Sequence, residues 1–200
     1  FSVNANRDLN NLEPHQLLNT DSESVESHDS TQKSVESIYR LFKKRGGGAD
    51  GAIIGVNGSI RVQCMVKILS ALEVKKRNFV DFGAGDGRIL LAAIAVGASS
   101  AVGYELPENS AHQLLFNAVR ESVFIDKHIS PPDTQWSRAE WKGKDIDKLK
   151  QLPASTSCVY TFWVGMPLDT QEQILNLCAT CHTVDSIAVF RDRKWSQPEE

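Results

Sequence analysis

The chain has little of what would mark an unusual class of protein. Four cysteines in 200 residues form no closely spaced framework, which excludes a disulfide-stapled secreted scaffold and fits a reducing compartment. Thirteen glycines and seven prolines exclude collagen-like and low-complexity chains. Neither sign of charge dominates: 22 basic against 25 acidic residues leave a net charge of −3. The chain as a whole is therefore not a basic body that grips nucleic acid through its phosphates, and no direct sequence-specific nucleic-acid binding is expected. The longest apolar run, Ile89 to Ala98, falls far short of the ~20 residues of a spanning helix. The N-terminal stretch FSVNANRDLNN has no apolar signal region, so no membrane partner is expected. Because the chain begins with Phe rather than Met, a longer parent chain is the expectation.

What is present is ordinary: 41% hydrophobic and 24% charged residues predict a folded core of one domain with an appendage. Residues 1–32 carry one basic residue, Arg7, against six acids, with a Ser-rich run from Ser22 to Ser30; this reads as a mobile, solvated tail. Residues 33–58 read as a helix and glycine-rich loop leading into the domain, which takes 59–200. In that helix Val35, Ile38, Tyr39 and Phe42 recur at helical spacing, Ser30 can cap, and Gly46-Gly47-Gly48 stops the run. Lys43, Lys44 and Arg45 complement its dipole. A second helix is expected from Ser59, with Ile60, Cys64, Ile68 and Leu69 on one face. Beyond it the pattern alternates: strand Phe79–Phe82, helix Arg88–Val96, strand Ser100–Tyr104, helix Ser110–Val123, strand Cys158–Val164, helix Asp169–Cys181 and strand Ser186–Phe190. Such alternation predicts an α/β fold, a mostly parallel sheet with helices on both faces and ligands at the carboxyl ends of the strands.

The most informative stretch is Asp81-Phe82-Gly83-Ala84-Gly85-Asp86-Gly87-Arg88, set between a strand and a helix. Glycines at alternate positions let the backbone turn sharply and approach a ligand, and the helix start offers unpaired N–H groups. The dinucleotide fingerprint would need a glycine where Arg88 stands, so the pattern is G-x-G-x-G. Asp86 reads as a helix-start acid and Arg88 as a solvated first-turn residue. Glu105 ends the next strand, twenty positions after Gly85, and a carboxylate there can accept from both ribose hydroxyls of a nucleoside.

Led by Asp81, this pattern resembles the first motif of class I methyltransferases that use S-adenosylmethionine, a Rossmann-like fold. The resemblance implies that Asp81, Gly83, Ala84, Gly85, Gly87, Glu105 and Leu106 hold the cofactor. It also implies that Glu140 and Trp141 meet the adenine, the acid taking the exocyclic amine and the ring stacking on the base. At the fourth strand, Tyr160-Thr161-Phe162-Trp163-Val164-Gly165-Met166-Pro167 lacks the Asn/Asp-Pro-Pro-aromatic string of base methylases. It is similar instead to the corresponding stretch of the disruptor-of-telomeric-silencing histone lysine methyltransferases. That resemblance runs from about Gly55 to Arg191. It implies a catalytic wall of Thr161, Phe162 and Trp163, a protein lysine acceptor, a histone or nucleosome partner, a monomer, and a nuclear location, or a cytoplasmic one if the acceptor is not a histone. The chain departs from this family at Ile54-Gly55-Val56, at Arg88, and at Tyr160-Thr161, where the family has two Asn. A methyltransferase for another protein or a small molecule, and a cofactor-binding module without turnover, stand as alternatives.

Cys178-Ala179-Thr180-Cys181-His182 spells a haem-attachment string, but the cysteines continue the apolar helix face of Ile174 and Leu177, and no second ligand pair supports zinc. No metal site is expected. His15, His28, His112 and His128 match no nucleophilic constellation.

Overall fold

The computed structural model describes residues 22–46, 60–125 and 136–191. Its elements are α1 (Ser22–Lys44), α2 (Val62–Ala71), β1 (Asn78–Phe82), α3 (Arg88–Val96), β2 (Ser100–Glu105), α4 (Ser110–Ile125), β3 (Ala139–Gly143), β4 (Cys158–Phe162), α5 (Leu168–Thr180) and β5 (Ser186–Phe190). The strands form one sheet in the order β3-β2-β1-β4-β5, every neighbouring pair parallel. From β1 the chain builds outward through β2 and β3, then returns to the other side for β4 and β5. The strand order thus reverses between β1 and β4, and the crevice above their carboxyl ends is where such a sheet takes a ligand. This is the Rossmann-like α/β architecture, a parallel sheet with helices on both faces, expected from the sequence.

Side chains alternate across β1. Phe79 lies in an apolar cluster with Val35, Ile38 and Phe42 of α1, Leu90 and Leu91 of α3 and Phe116 of α4. Val80 and Phe82 lie in a second cluster with Ile174 and Leu177 of α5. Helices therefore cover both faces. Six consecutive residues of α3, Ile89 to Ile94, are buried, because α1 packs along the side of α3 that turns away from the sheet; a helix apolar all round needs cover all round. The helix that leads into the domain is accordingly packed within it.

Four elements differ from expectation. Helix α1 begins at Ser22, eight residues before the Ser30 cap, so the Ser-rich run is helical. The remainder of the tail, the Gly47–Gly48 stop and the Ile54-Gly55-Val56 segment lie outside the described residues. Helix α2 starts at Val62, and Met65 with Leu69 forms its buried face, while Cys64 is exposed. Ile60 precedes the helix, so it does not set the face. Strand β3 was not anticipated, although Ala139 and Trp141 alternate as buried residues with exposed Glu140, the period of a strand with one buried face. Strand β4 stops at Phe162 rather than Val164; Gly165 at φ 80° and Pro167 turn the chain out of the ladder.

Gly103 of β2 permits a close approach in this core: a Cβ placed there would lie 2.6 Å from Ala84 Cβ and 2.7 Å from Leu90 Cδ1. Gly103→Ala is expected to cost roughly 1–3 kcal/mol through overpacking, read as a lower urea midpoint with an unchanged slope.

Candidate functional site

The connection from β1 to α3 carries the site. Gly83, Gly85 and Gly87 have φ of 77°, 52° and 75°, a left-handed region that glycine enters at little cost. At Gly87 space is short as well, since a Cβ would come within 2.5 Å of Phe116. The loop is tied to β2 by its amides: the N–H groups of Gly83 and Ala84 both donate to the Tyr104 carbonyl, at 2.9 and 3.1 Å, and Gly85 N–H donates to Glu105 Oε2 at 2.7 Å. The other carboxylate oxygen of Glu105 accepts from Leu106 N–H at 3.0 Å and from Asn109 Nδ2 at 2.9 Å. Glycine loop, Glu105 and Leu106 thus meet at the carboxyl ends of β1 and β2.

Asp86 accepts the Arg88 amide at 3.2 Å, as a helix-start acid should. Arg88 is not the solvated residue expected. Its side chain is half-buried, ion-paired with Asp86, and lies over the rings of Tyr39 and Phe42, at 5.3 and 5.6 Å.

Asp81 is 1% exposed, and its Oδ1 has no hydrogen-bond partner. Burial first, then the neighbouring charges of Glu105 and Asp86, hold its carboxyl well above the ordinary carboxylate range. A ligand that brings a donor, and above all a positive one, relieves both conditions.

Trp141 is placed differently from expectation. It stands opposite Gly103 in the sheet, is buried, and donates its indole N–H to the Gly85 carbonyl at 2.8 Å. It supports the loop from below and offers no open face to a base. Glu140 stands opposite Val102, three residues before the level of Glu105, or about 10 Å along the strand. It is exposed and paired with Lys142 at 2.9 Å, so it is remote from the loop. The acid at the right level is Asp145, two residues past the end of β3, where Lys144 N–H donates to the Glu105 carbonyl at 2.8 Å. Its carboxylate accepts from Asp147 N–H at 3.1 Å, and Lys148 beside it lowers its pKa. The β2–β3 register, with Gly143 opposite Glu105, is what brings Asp145 to this level.

The candidate catalytic trio divides. Thr161 is fully buried and its hydroxyl donates to the Phe82 carbonyl at 3.3 Å, which removes it from the crevice. Phe162 is half-buried and stacked nearly parallel on Phe190, ring centres 4.9 Å apart; Phe190 was not anticipated as a site residue. Trp163 donates its backbone N–H to the Phe190 carbonyl at 2.8 Å, and its buried indole N–H has no partner. The loop that follows reaches the glycines, Met166 Cε lying 3.5 Å from where a Gly83 Cβ would be. The loop after β4 and the glycine loop therefore adjoin. Away from the site, burial pushes the Cys178 thiol up to about 12, consistent with a helix-face cysteine.

No protein-family model matches the chain, and no curated protein matches it. Among solved structures it is similar to the 23S rRNA methyltransferase ErmE, at 15% identity over 66% of this chain and 48% of that one, TM-score 0.47. It is similar to an RNA methyltransferase from Salinibacter ruber in complex with S-adenosyl-L-homocysteine, at 15% identity over 70% of this chain and 82% of that one, TM-score 0.45. A third is an S-adenosylmethionine dependent methyltransferase from Mesorhizobium loti, at 24% identity over 71% of this chain and 54% of that one, TM-score 0.41. The chain spans about half the length of the first and the third.

The raised pKa of Asp81 has a thermodynamic consequence. Between the unfolded value near ~4 and its folded value, the native state keeps a proton that the unfolded chain releases, so stability falls as pH rises through that window. Asp81→Asn carries no such proton, and its stability relative to the parent chain is expected to grow as pH rises above about 4 in urea titrations. A constant difference would show that Asp81 titrates normally.

Proposed function

We propose that this chain is an S-adenosylmethionine-dependent methyltransferase and that its preferred acceptor is a protein lysine. The observation that carries the cofactor is the junction of the left-handed glycines with Glu105: a backbone cradle at the switch point beside a buried carboxylate at the end of the second strand. The residues present fit the cofactor. Glu105, with three of its about four acceptor sites taken by Gly85, Leu106 and Asn109, keeps one for a ribose hydroxyl, Leu106 offers an apolar side for the base, and Asp145, in place of Glu140, an ionised acceptor for an exocyclic amine. Asp81 offers its unpartnered oxygen to the amino-acid end.

When bound, the cofactor supplies an electrophilic methyl on a sulfonium. The protein's own part is to align a neutral amine in line with that methyl and to keep water out. Phe162, Phe190 and Trp163 at the ends of β4 and β5 suit this task, because an apolar aromatic wall disfavours the ammonium form and lowers the amine pKa. The same wall supports a lysine in preference to a base amine, for which no hydrogen-bonding Asn or Asp stands at the end of β4. The resemblance of this stretch to histone lysine methyltransferases makes a nucleosome the first partner to test and a nucleus the corresponding location.

A second reading, cofactor binding without turnover, draws support from Thr161, whose hydroxyl is committed to the sheet. Transfer of labelled methyl to intact nucleosomes, free histones, total protein extract and RNA separates the readings. Label on nucleosomes, lost with Glu105→Ala, is expected. Phe162→Ala and Trp163→Ala, each folded, are expected to lower kcat/KM at least about tenfold, or about 1.4 kcal/mol of transition-state stabilisation. Label on RNA alone would overturn the lysine reading, and cofactor binding with no label on any acceptor would favour the binding module.

A further inference from the structure

A loop with three left-handed glycines has many conformations open to it, so its shape has to be held from outside. On the β2 side the Tyr104 carbonyl and the Glu105 carboxylate hold it. Asp86, between Gly85 and Gly87, ties it in the other direction. Asp86 already caps α3 by accepting the Arg88 amide, and capping needs no more than that. Yet the Arg88 side chain is bound as well: Nε donates to Oδ1 and Oδ2 of Asp86 at 2.9 and 3.0 Å, and Nη2 donates to Oδ2. An ion pair in open solvent is worth little, but these two side chains are only 14% and 9% exposed. The guanidinium is covered by α1, within cation–π distance of the rings of Tyr39 and Phe42, and Phe42 is fully buried. One side chain thus joins a loop at the switch point of the sheet to a helix outside the β-α alternation.

We infer that Arg88 is a positioning residue that clamps the glycine loop, through Asp86, to Tyr39 and Phe42 of α1, and that cofactor affinity therefore depends on the seating of α1. This rests on the cofactor reading above. A loop already held in its binding shape spares the ligand the cost of ordering it. By linkage, a ligand that prefers the held loop holds α1 in return. Arginine suits the task because its planar fork can meet a carboxylate at the edge while its faces rest on aromatic rings, a combination that a lysine ammonium does not offer. Helix α1 suits it too, since its packing runs chiefly along α3, the helix that Arg88 opens. Arg88 is also a position at which the chain departs from the histone-methylating family it resembles, so the clamp is a property of this chain and not of that resemblance.

Calorimetric titration of the full chain with S-adenosylhomocysteine, together with hydrogen exchange of the α1 amides with and without that ligand, tests the inference. Arg88→Leu keeps apolar bulk against the rings and removes the ion pair. It is expected to weaken S-adenosylhomocysteine at least about tenfold and to abolish the slowing of α1 exchange that the ligand produces in the parent chain. Arg88→Lys, which keeps a cation without the fork, is expected to fall between the two. Phe42→Leu acts from the α1 end: alone it is expected to weaken the ligand about threefold or more, and to add less than about twofold to Arg88→Leu, because both break the same link. If Arg88→Leu does not fold, Arg88→Lys and Phe42→Leu carry the same test. A residue that served stability alone would lower Tm in each variant and leave the affinity within about twofold. That result, or additive effects of Arg88→Leu and Phe42→Leu, overturns the clamp and leaves the cofactor reading standing. Failure of the parent chain to bind S-adenosylhomocysteine overturns both.

Discussion

The hydrogen bond from Gly85 N–H to the Glu105 carboxylate, at 2.7 Å, joins the two halves of the site. On one side stands a loop that exists only because three glycines accept left-handed backbone. On the other stands the end of β2, whose acid also gathers Leu106 and Asn109. Burying a carboxylate is unfavourable unless it is hydrogen-bonded, and three donors meet that condition. The Tyr104 carbonyl, by taking the Gly83 and Ala84 amides, keeps the loop from rising away, and Trp141 holds it from beneath. Remove the Glu105 carboxylate and the loop loses its side-chain cross-link to the end of β2.

The fold was legible wherever the signal was local and periodic. Helix α3 is bounded at Arg88 and Val96, as its glycine-flanked apolar run predicts, and β5 keeps its expected bounds. The spacing of D-x-G-x-G-x-G and of Glu105 located both halves of the junction, because a turn of this kind is set by glycine and strand length alone. Tertiary register was not legible. Glu140 and Trp141 are residue types suited to a base, yet the β2–β3 register puts the acid too low and turns the ring inward. Asp145 carries no mark until the end of β3 is known. Thr161 shows the same limit, since a strand's period of two tells which residues share a face but not which of them clears the sheet's end. Tyr39 read correctly as part of a buried helix face, but its contact with Arg88 depends on the packing of α1 on α3.

The switch point explains why chemistry of two kinds meets here. The chain leaves β1 through polar, glycine-rich backbone and leaves β4 through aromatic residues, and the strand order places these exits side by side. One exit suits a charged nucleoside, the other an apolar wall for an amine. Helix α1 adds a third contribution from outside the alternating units, closing the face of α3 and placing Tyr39 against Arg88.

The central claim is that Glu105 is shared between the glycine loop and a bound nucleoside. Amide resonances of the full chain labelled with 15N-glycine, followed while S-adenosylhomocysteine is added, test it directly. The Gly85 amide is predicted to move most, as Glu105 divides its acceptors between that N–H and the ribose, while Gly97, at the far end of α3, stays in place. Ligand binding that leaves Gly85 no more shifted than Gly97 would contradict the account.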